Sequence, residues 1–346
     1  MLDDLKYIHE KDAQDALGIA EKQWQQLEHV FDLGEFALPE GQIQNVVVGG
    51  MGGSALSALI SQTWPGYQVP FEISRDYSIP AYVSEKTLFV ASSHSGNTEE
   101  TVEALQAALA KRAVVVVIAT GGKLQEIAAQ KNLPFAQVPS GFQPRHAALY
   151  SLKALVTVLE KAGLVGRSDA EKTLHEASNY LRDSVANWRP DVPTVKNLAK
   201  QLALEMSGSS PVIYSGPELF PAAYKWKISF NENAKNVSWC NQLPEFNHNE
   251  FLGWTSHPVD KPYKIVELRS KLEHPRTQKR FDVTNKLLSG RWPNPHVIDV
   301  QGDGLLQQLL WAIALGDFVS IYVALLNGLN PSPVDLIEKF KAELNN

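Results

Sequence analysis

The chain has 346 residues, 44% of them hydrophobic and 20% charged, and a formal net charge of −6. This is a globular composition, long enough for two domains, and its acidic balance excludes an electrostatic footprint for nucleic acid or an anionic membrane surface. No run reaches the about 18 consecutive apolar residues of a membrane span. The acidic start, Met1 to Tyr7, lacks a signal-peptide apolar region, and the lone Cys240 allows no internal disulfide or cysteine-based zinc site. A cytoplasmic protein is expected.

Taken in order, helical spacing predicts a first helix over 13–33. Asn45-Val-Val-Val-Gly-Gly-Met-Gly-Gly-Ser54 reads as strand, glycine turn and then a helix over 55–63. Short strands follow at 71–74 and 87–91. The second of these runs into Ser92-Ser-His-Ser-Gly-Asn-Thr98 and a helix to about residue 112. Ala113–Ala119 is a fully apolar strand, 124–130 a helix and 135–138 a fifth strand. Apolar runs this continuous, alternating with helices, predict a parallel sheet covered on both faces. After a Gly/Pro loop at 139–145, helices are expected at 147–162 and 169–187, with Pro190 and Pro193 marking a boundary. The second half repeats the pattern: strands at 211–214, 237–239, 264–269 and 296–300, a helix at 221–230, a strongly apolar helix over 305–326 expected between domains or subunits, and a terminal amphipathic helix at 334–344. The expected domains are 1–165 with its leading helix, a helical connection at 166–194, and 195–346.

Ligands of open α/β sheets bind beyond the carboxyl ends of the strands. The loop after residue 91 has hydroxyls at Ser93, Ser95 and Thr98 and no charged residue. A strand turning into a helix also points backbone N–H groups and the positive end of the helix dipole outward. Asn97 is the expected N-cap, with Glu100 completing a capping box. The alternatives are a neutral cradle for a phosphate monoester and a serine-rich turn with a cap. Gly49-Gly-Met-Gly-Gly-Ser54 admits close backbone approach. Through Gly50, Gly52 and Ala55, with Glu72 beyond, it also fits a loose dinucleotide pattern, the rival reading. Glu232, between two asparagines, is either a general base or a helix-end glutamate. His248, among the amides of 241–250, is either a proton-transfer group or structural. Arg145 either faces substrate oxygens or pairs with a carboxylate, and Cys240 is a structural thiol or a nucleophile. No metal-ligand spacing is present, and no metal or cofactor is expected.

Ser93-x-Ser-Gly-Asn-Thr-Glu-Glu-Thr101 resembles the phosphosugar loop of sugar isomerase (SIS) domains. Gly49–Ser54, Pro144-Arg145, Asn231-Glu-Asn233, the 244–250 stretch and Phe340-Lys341 occur in the order seen in the bifunctional phosphoglucose/phosphomannose isomerases. The resemblance implies two SIS domains, each an αβα flavodoxin-like sandwich, and isomerisation of glucose 6-phosphate and mannose 6-phosphate to fructose 6-phosphate through a cis-enediolate. It implies that Gly52, Gly53, Ser54, Ser93, Ser95 and Thr98 hold the phosphate. Glu232 would be the base, His248 would assist ring opening from the partner of a homodimer, Arg145 would stabilise the enediolate, and Lys341 (or its neighbour Lys339) would act near the ring oxygen. Two departures stand out: His94 replaces a frequent tyrosine, and Ser332 is the nearest counterpart of the small hydroxyl residue in members that accept mannose. A phosphosugar sensor without catalysis is the alternative from another class.

Overall fold

The structure is a computed structural model, and it describes all residues except 35, 37, 39–42, 167–168, 257–261 and 345–346. Of the helix expected over 13–33, the α-helical part is α2 (Ala16–Lys22), and a break at 12–15 separates it from α1 (Leu5–Lys11), which lies ahead of the expected span. The break has a local cause. The Asp12 carboxylate accepts from Ala16 N at 2.8 Å and Leu17 N at 2.9 Å, and Asp15 turns the chain at a φ of 55°. After α2 the chain tightens into a 3-10 turn, Gln23–Glu28.

The chain divides into two compact units, Lys22–Tyr180 and Met1–Glu21 with Leu181–Asn346. The first holds β1 (Asn45–Gly49), α3 (Gly52–Thr63), β2 (Phe71–Ser74), β3 (Thr87–Ser93), α4 (Glu99–Ala110), β4 (Val114–Ala119), α5 (Gly122–Lys131), β5 (Phe135–Gln137), α6 (Ala148–Lys161) and most of α7 (Ala170–Val185). All five strands are parallel, in the order β2-β1-β3-β4-β5. Strand side chains alternate between faces. Val46, Val48, Leu88, Val90, Val116 and Ile118 therefore pack against α3 and α6 through Ala58, Ala154, Leu155 and Val158. Val47, Phe89, Ala91, Val115 and Val117 meet Ala104, Leu105, Leu124 and Ile127 of α4 and α5. Both faces are covered, which is why these strands read as unbroken apolar runs.

The second unit holds α8 (Leu198–Met206), β6 (Ser210–Ser215), α9 (Phe220–Glu232), β7 (Trp239–Gln242), α10 (Glu250–Gly253), β8 (Tyr263–Arg269), α11 (Pro275–Leu287), β9 (His296–Asp299), α12 (Leu305–Leu326) and α13 (Asp335–Leu344). Its sheet is also parallel, in the order β7-β6-β8-β9. The leading segment, expected in the first domain, packs with this unit. Tyr7 Oη donates to Leu325 O at 2.7 Å, and Lys200 Nζ to Asp3 Oδ1 at 3.0 Å. α12 is long and apolar enough to cross a membrane, which the run-length reading missed because Gln and Asp interrupt it; 94% of its most apolar window is buried. It packs within this unit against α8 and α9, as a core helix.

Candidate functional site

Strand order reverses direction of travel between β1 and β3, the switch point of a 2-1-3-4-5 sheet and the place where such folds take ligands. The glycine turn into α3 and the serine loop into α4 emerge at this mouth. Neither helix has a side-chain cap: Met51 and Thr98 occupy the N-cap positions without capping hydrogen bonds. Ser54 N donates to Met51 O at 3.0 Å, and no capping side chain takes the other first-turn N–H groups of either helix. Asn97 is not the cap expected. Its Oδ1 accepts from Lys123 N at 2.9 Å and its Nδ2 donates to Ser95 O at 3.3 Å, so it ties the serine loop to the start of α5.

The hydroxyls are already oriented. Ser54 Oγ accepts from His94 N at 3.1 Å, and Ser95 Oγ from Asn97 N at 3.2 Å. Ser93 Oγ accepts from Gly96 N at 3.2 Å and pairs with Thr98 Oγ1 at 2.7 Å. A hydroxyl that accepts still has its own hydrogen to donate. Ser54, Ser95 and one member of the Ser93–Thr98 pair each keep one, whichever way that pair is oriented. Ser54 and Ser93 are 5% and 2% exposed, so donors there face little competition from water. His94 Nε2 lies 2.9 Å from Phe142 O, and burial lowers the pKa of its imidazole and favours the neutral ring. The His94 side chain braces the loop while its backbone N–H orients Ser54.

Close backbone approaches hold this frame together. A Cβ on Gly53 would lie 2.6 Å from Pro144 O and 3.2 Å from Arg145 N, so glycine is what lets the 144–146 turn reach α3. Arg145 is buried at 1% exposure in that turn. Gln26 fixes the turn from outside, its Nε2 donating to His146 O at 2.6 Å and its Oε1 accepting from Tyr150 N at 3.1 Å. Gly96, at a φ of 70°, lies against the Gly121 carbonyl with no room for a side chain. The β4–α5 turn, read from the sequence as the turn that opens a helix and not as part of the site, is therefore part of the mouth: Thr120 N donates to His94 O at 3.0 Å and Leu124 N to Gly96 O at 2.9 Å. Its adjacent glycines at a strand exit were the available signal. Gly52, Gly53, Ser54, Ser93, Ser95, Thr98 and Arg145 all belong to this one unit.

Glu232, His248 and Lys341 belong to the second unit. Glu232 is the last residue of α9, half-buried. Lys235 Nζ donates to Glu232 O at 2.9 Å and to Pro331 O at 2.8 Å, joining the end of α9 to the segment before α13 that contains Ser332. His248 is exposed on the 3-10 turn Glu245–His248. The amides around it pin this segment: Asn247 Nδ2 donates to Thr284 Oγ1 at 2.9 Å, Asn249 Nδ2 to Glu245 Oε1 at 2.7 Å and Asn241 Nδ2 to Glu250 Oε2 at 2.6 Å. Lys341 and Lys339 are exposed on α13, and Lys341 Nζ pairs with Glu338 Oε1 at 2.9 Å. The Cys240 thiol is pushed up to about 11 by burial, which leaves it protonated and a poor nucleophile. Glu72, the acid of the dinucleotide reading, accepts from Tyr82 Oη at 2.6 Å.

Two parallel α/β sheets, the first with a hydroxyl-lined mouth at its switch point, define a double SIS protein. Residues 195–344 match the family model described as the bacterial phospho-glucose isomerase C-terminal SIS domain. A bifunctional phosphoglucose/phosphomannose isomerase of Caldicellulosiruptor bescii is 38% identical over 307 residues, 87% of this chain and 90% of that protein. One of Thermoplasma volcanium is 33% identical over 309 residues, 88% of this chain and 92% of its own. The chain belongs to the bifunctional phosphoglucose/phosphomannose isomerase family. The fold is shared with a glucose-6-phosphate isomerase-like protein of Thermus thermophilus, at a TM-score of 0.67 and 18% identity over 98% of both chains.

Proposed function

We propose that this chain is an aldose–ketose isomerase that interconverts glucose 6-phosphate and mannose 6-phosphate with fructose 6-phosphate. The observation that carries the reading is the mouth between β1 and β3, where two helix starts without side-chain caps and three available hydroxyl hydrogens suit a dianionic monoester. Gly52, Gly53, Ser54, Ser93, Ser95 and Thr98 bind the phosphate. Glu232 takes the C2 proton of the open-chain aldose and returns it to C1, with a cis-enediolate between the two transfers. The Arg145 guanidinium offsets the negative charge that develops on the enediolate oxygens. Lys341 and the partner subunit's His248 act at ring opening, so the working form is a homodimer. Ser332 is the residue we assign to acceptance of mannose.

A coupled assay on both aldose phosphates, with and without a chelator, tests the reading together with exchange of the C2 hydrogen against solvent. The expected result is turnover of both, unchanged by chelator, with C2 exchange. Binding of fructose 6-phosphate without exchange would instead make the protein a phosphosugar sensor.

A further inference from the structure

Lys225, Ser229 and Asn233 recur at every fourth position of α9 and its end, so they line one face of the helix. Glu232, seven residues after Lys225 and three after Ser229, falls on the same side. This face packs on α12, where the three residues are 1%, 0% and 0% exposed. A continuous set of polar contacts joins the two helices. Lys225 is ion-paired with Asp317 and donates to Ser229 Oγ at 2.8 Å, and Ser229 Oγ donates to Asp317 Oδ1 at 2.7 Å. Asn233 Nδ2 donates to Ser320 Oγ at 2.9 Å, and Ser320 Oγ in turn to the Asp317 carbonyl at 2.9 Å. Trp226 Nε1 donates to Ala312 O at 2.6 Å, and Gly316 is a glycine because any side chain there would collide with the Trp226 ring.

Cohesion alone does not require this arrangement. Apolar residues of similar volume commonly hold a helix pair as well as a buried ion pair does, because the charges need not be desolvated. What the network adds is direction. Helix ends fray unless their last groups are tied down, and the contacts run along α9 to the residue next to Glu232. We propose that Lys225, Asp317, Ser229, Ser320 and Asn233 are positioning residues that fix the end of α9, and with it the Glu232 carboxylate, for proton transfer. This rests on the reading of Glu232 as the base.

The test compares Ser320→Ala, the double variant Lys225→Met with Asp317→Leu, and Glu232→Gln. The readouts are kcat, KM for fructose 6-phosphate, C2 hydrogen exchange and thermal stability. A displaced carboxylate reacts more slowly without weakening the phosphate's grip. The expected result is a fall in kcat of about tenfold in Ser320→Ala and in the double variant, with exchange falling in step and KM within about twofold. The double variant should keep its melting temperature, as an apolar replacement of a buried pair does. Wild-type kcat in folded Ser320→Ala, or a change confined to KM, overturns the proposal even if the double variant fails to fold. If Glu232→Gln retains turnover, the assignment of the base fails instead, so the two failures are told apart.

Discussion

The two sheets share their strand order as far as the fourth strand, yet their switch points are furnished in opposite ways. Between β1 and β3 the helix starts have no side-chain cap and the hydroxyls are aimed by backbone N–H groups. Between β6 and β8 the corresponding space holds a carboxylate of the chain itself. Glu273, after β8, is 3% exposed, and its Oε1 accepts from Glu218 N at 3.0 Å in the turn that leads into α9. Gly216 is a glycine because a side chain there would collide with that carboxylate. Burial, reinforced by Glu218, pushes the Glu273 carboxyl up to about 7. One topology thus supplies an anion seat twice; the first is furnished for a ligand and the second is filled from within. On the proposed function, the first unit grips the phosphate and the second carries the chemistry.

The largest expected effect separates those two tasks. Glu232→Gln should lower kcat by about 10²–10⁴-fold, while calorimetry with fructose 6-phosphate shows affinity near wild type. Gly96→Ala attacks the frame of the first mouth. A Cβ there meets the backbone carbonyl of Gly121, which has no rotamer to escape into, and φ is positive as well. Urea unfolding should register a loss of about 2–4 kcal/mol. Gly216→Ala in the second mouth meets a movable side chain and should cost less. Ser93→Ala combined with Thr98→Ala should raise KM by about 10–100-fold and leave kcat within a few-fold, since phosphate contacts are made equally in ground and transition states. If kcat falls and KM holds, the division of labour is reversed.

The smallest effect concerns the filled seat. A buried glutamate whose pKa rises on folding binds its proton more tightly in the native state. Between the ordinary carboxylate range and pH 7 the folded protein therefore holds more protons than the unfolded one, and stability falls as pH rises through that window. Glu273→Gln should flatten this slope and stabilise the protein by about 1–2 kcal/mol at pH 8, with little change at pH 4. A slope that persists unchanged would remove Glu273 as its source.

Much of this arrangement was legible in the residues. The apolar runs at β1, β3 and β4 announce strands covered on both faces, and α12 begins and ends where its composition changes. The serine loop and glycine turn are legible because a mouth for an anion needs donors and close backbone. Where the sequence reading fell short, long-range partners decide. α11 was missed because only Thr277, Phe281 and Thr284 of its 13 residues are buried, too few to raise a periodic signal. Asn97 has the chemistry of a cap for its own helix, but its acceptor is claimed by Lys123 N, 26 residues on. Glu273 carries no local mark, since its role comes from packing against a turn 55 residues earlier.

The most direct test is a crystal structure of the protein with fructose 6-phosphate. The phosphate is expected within hydrogen-bonding reach of the Ser93 and Thr98 hydroxyls and the first turn of α4. A phosphate bound at the β6–β8 mouth, or anywhere away from the serine loop, would contradict this expectation.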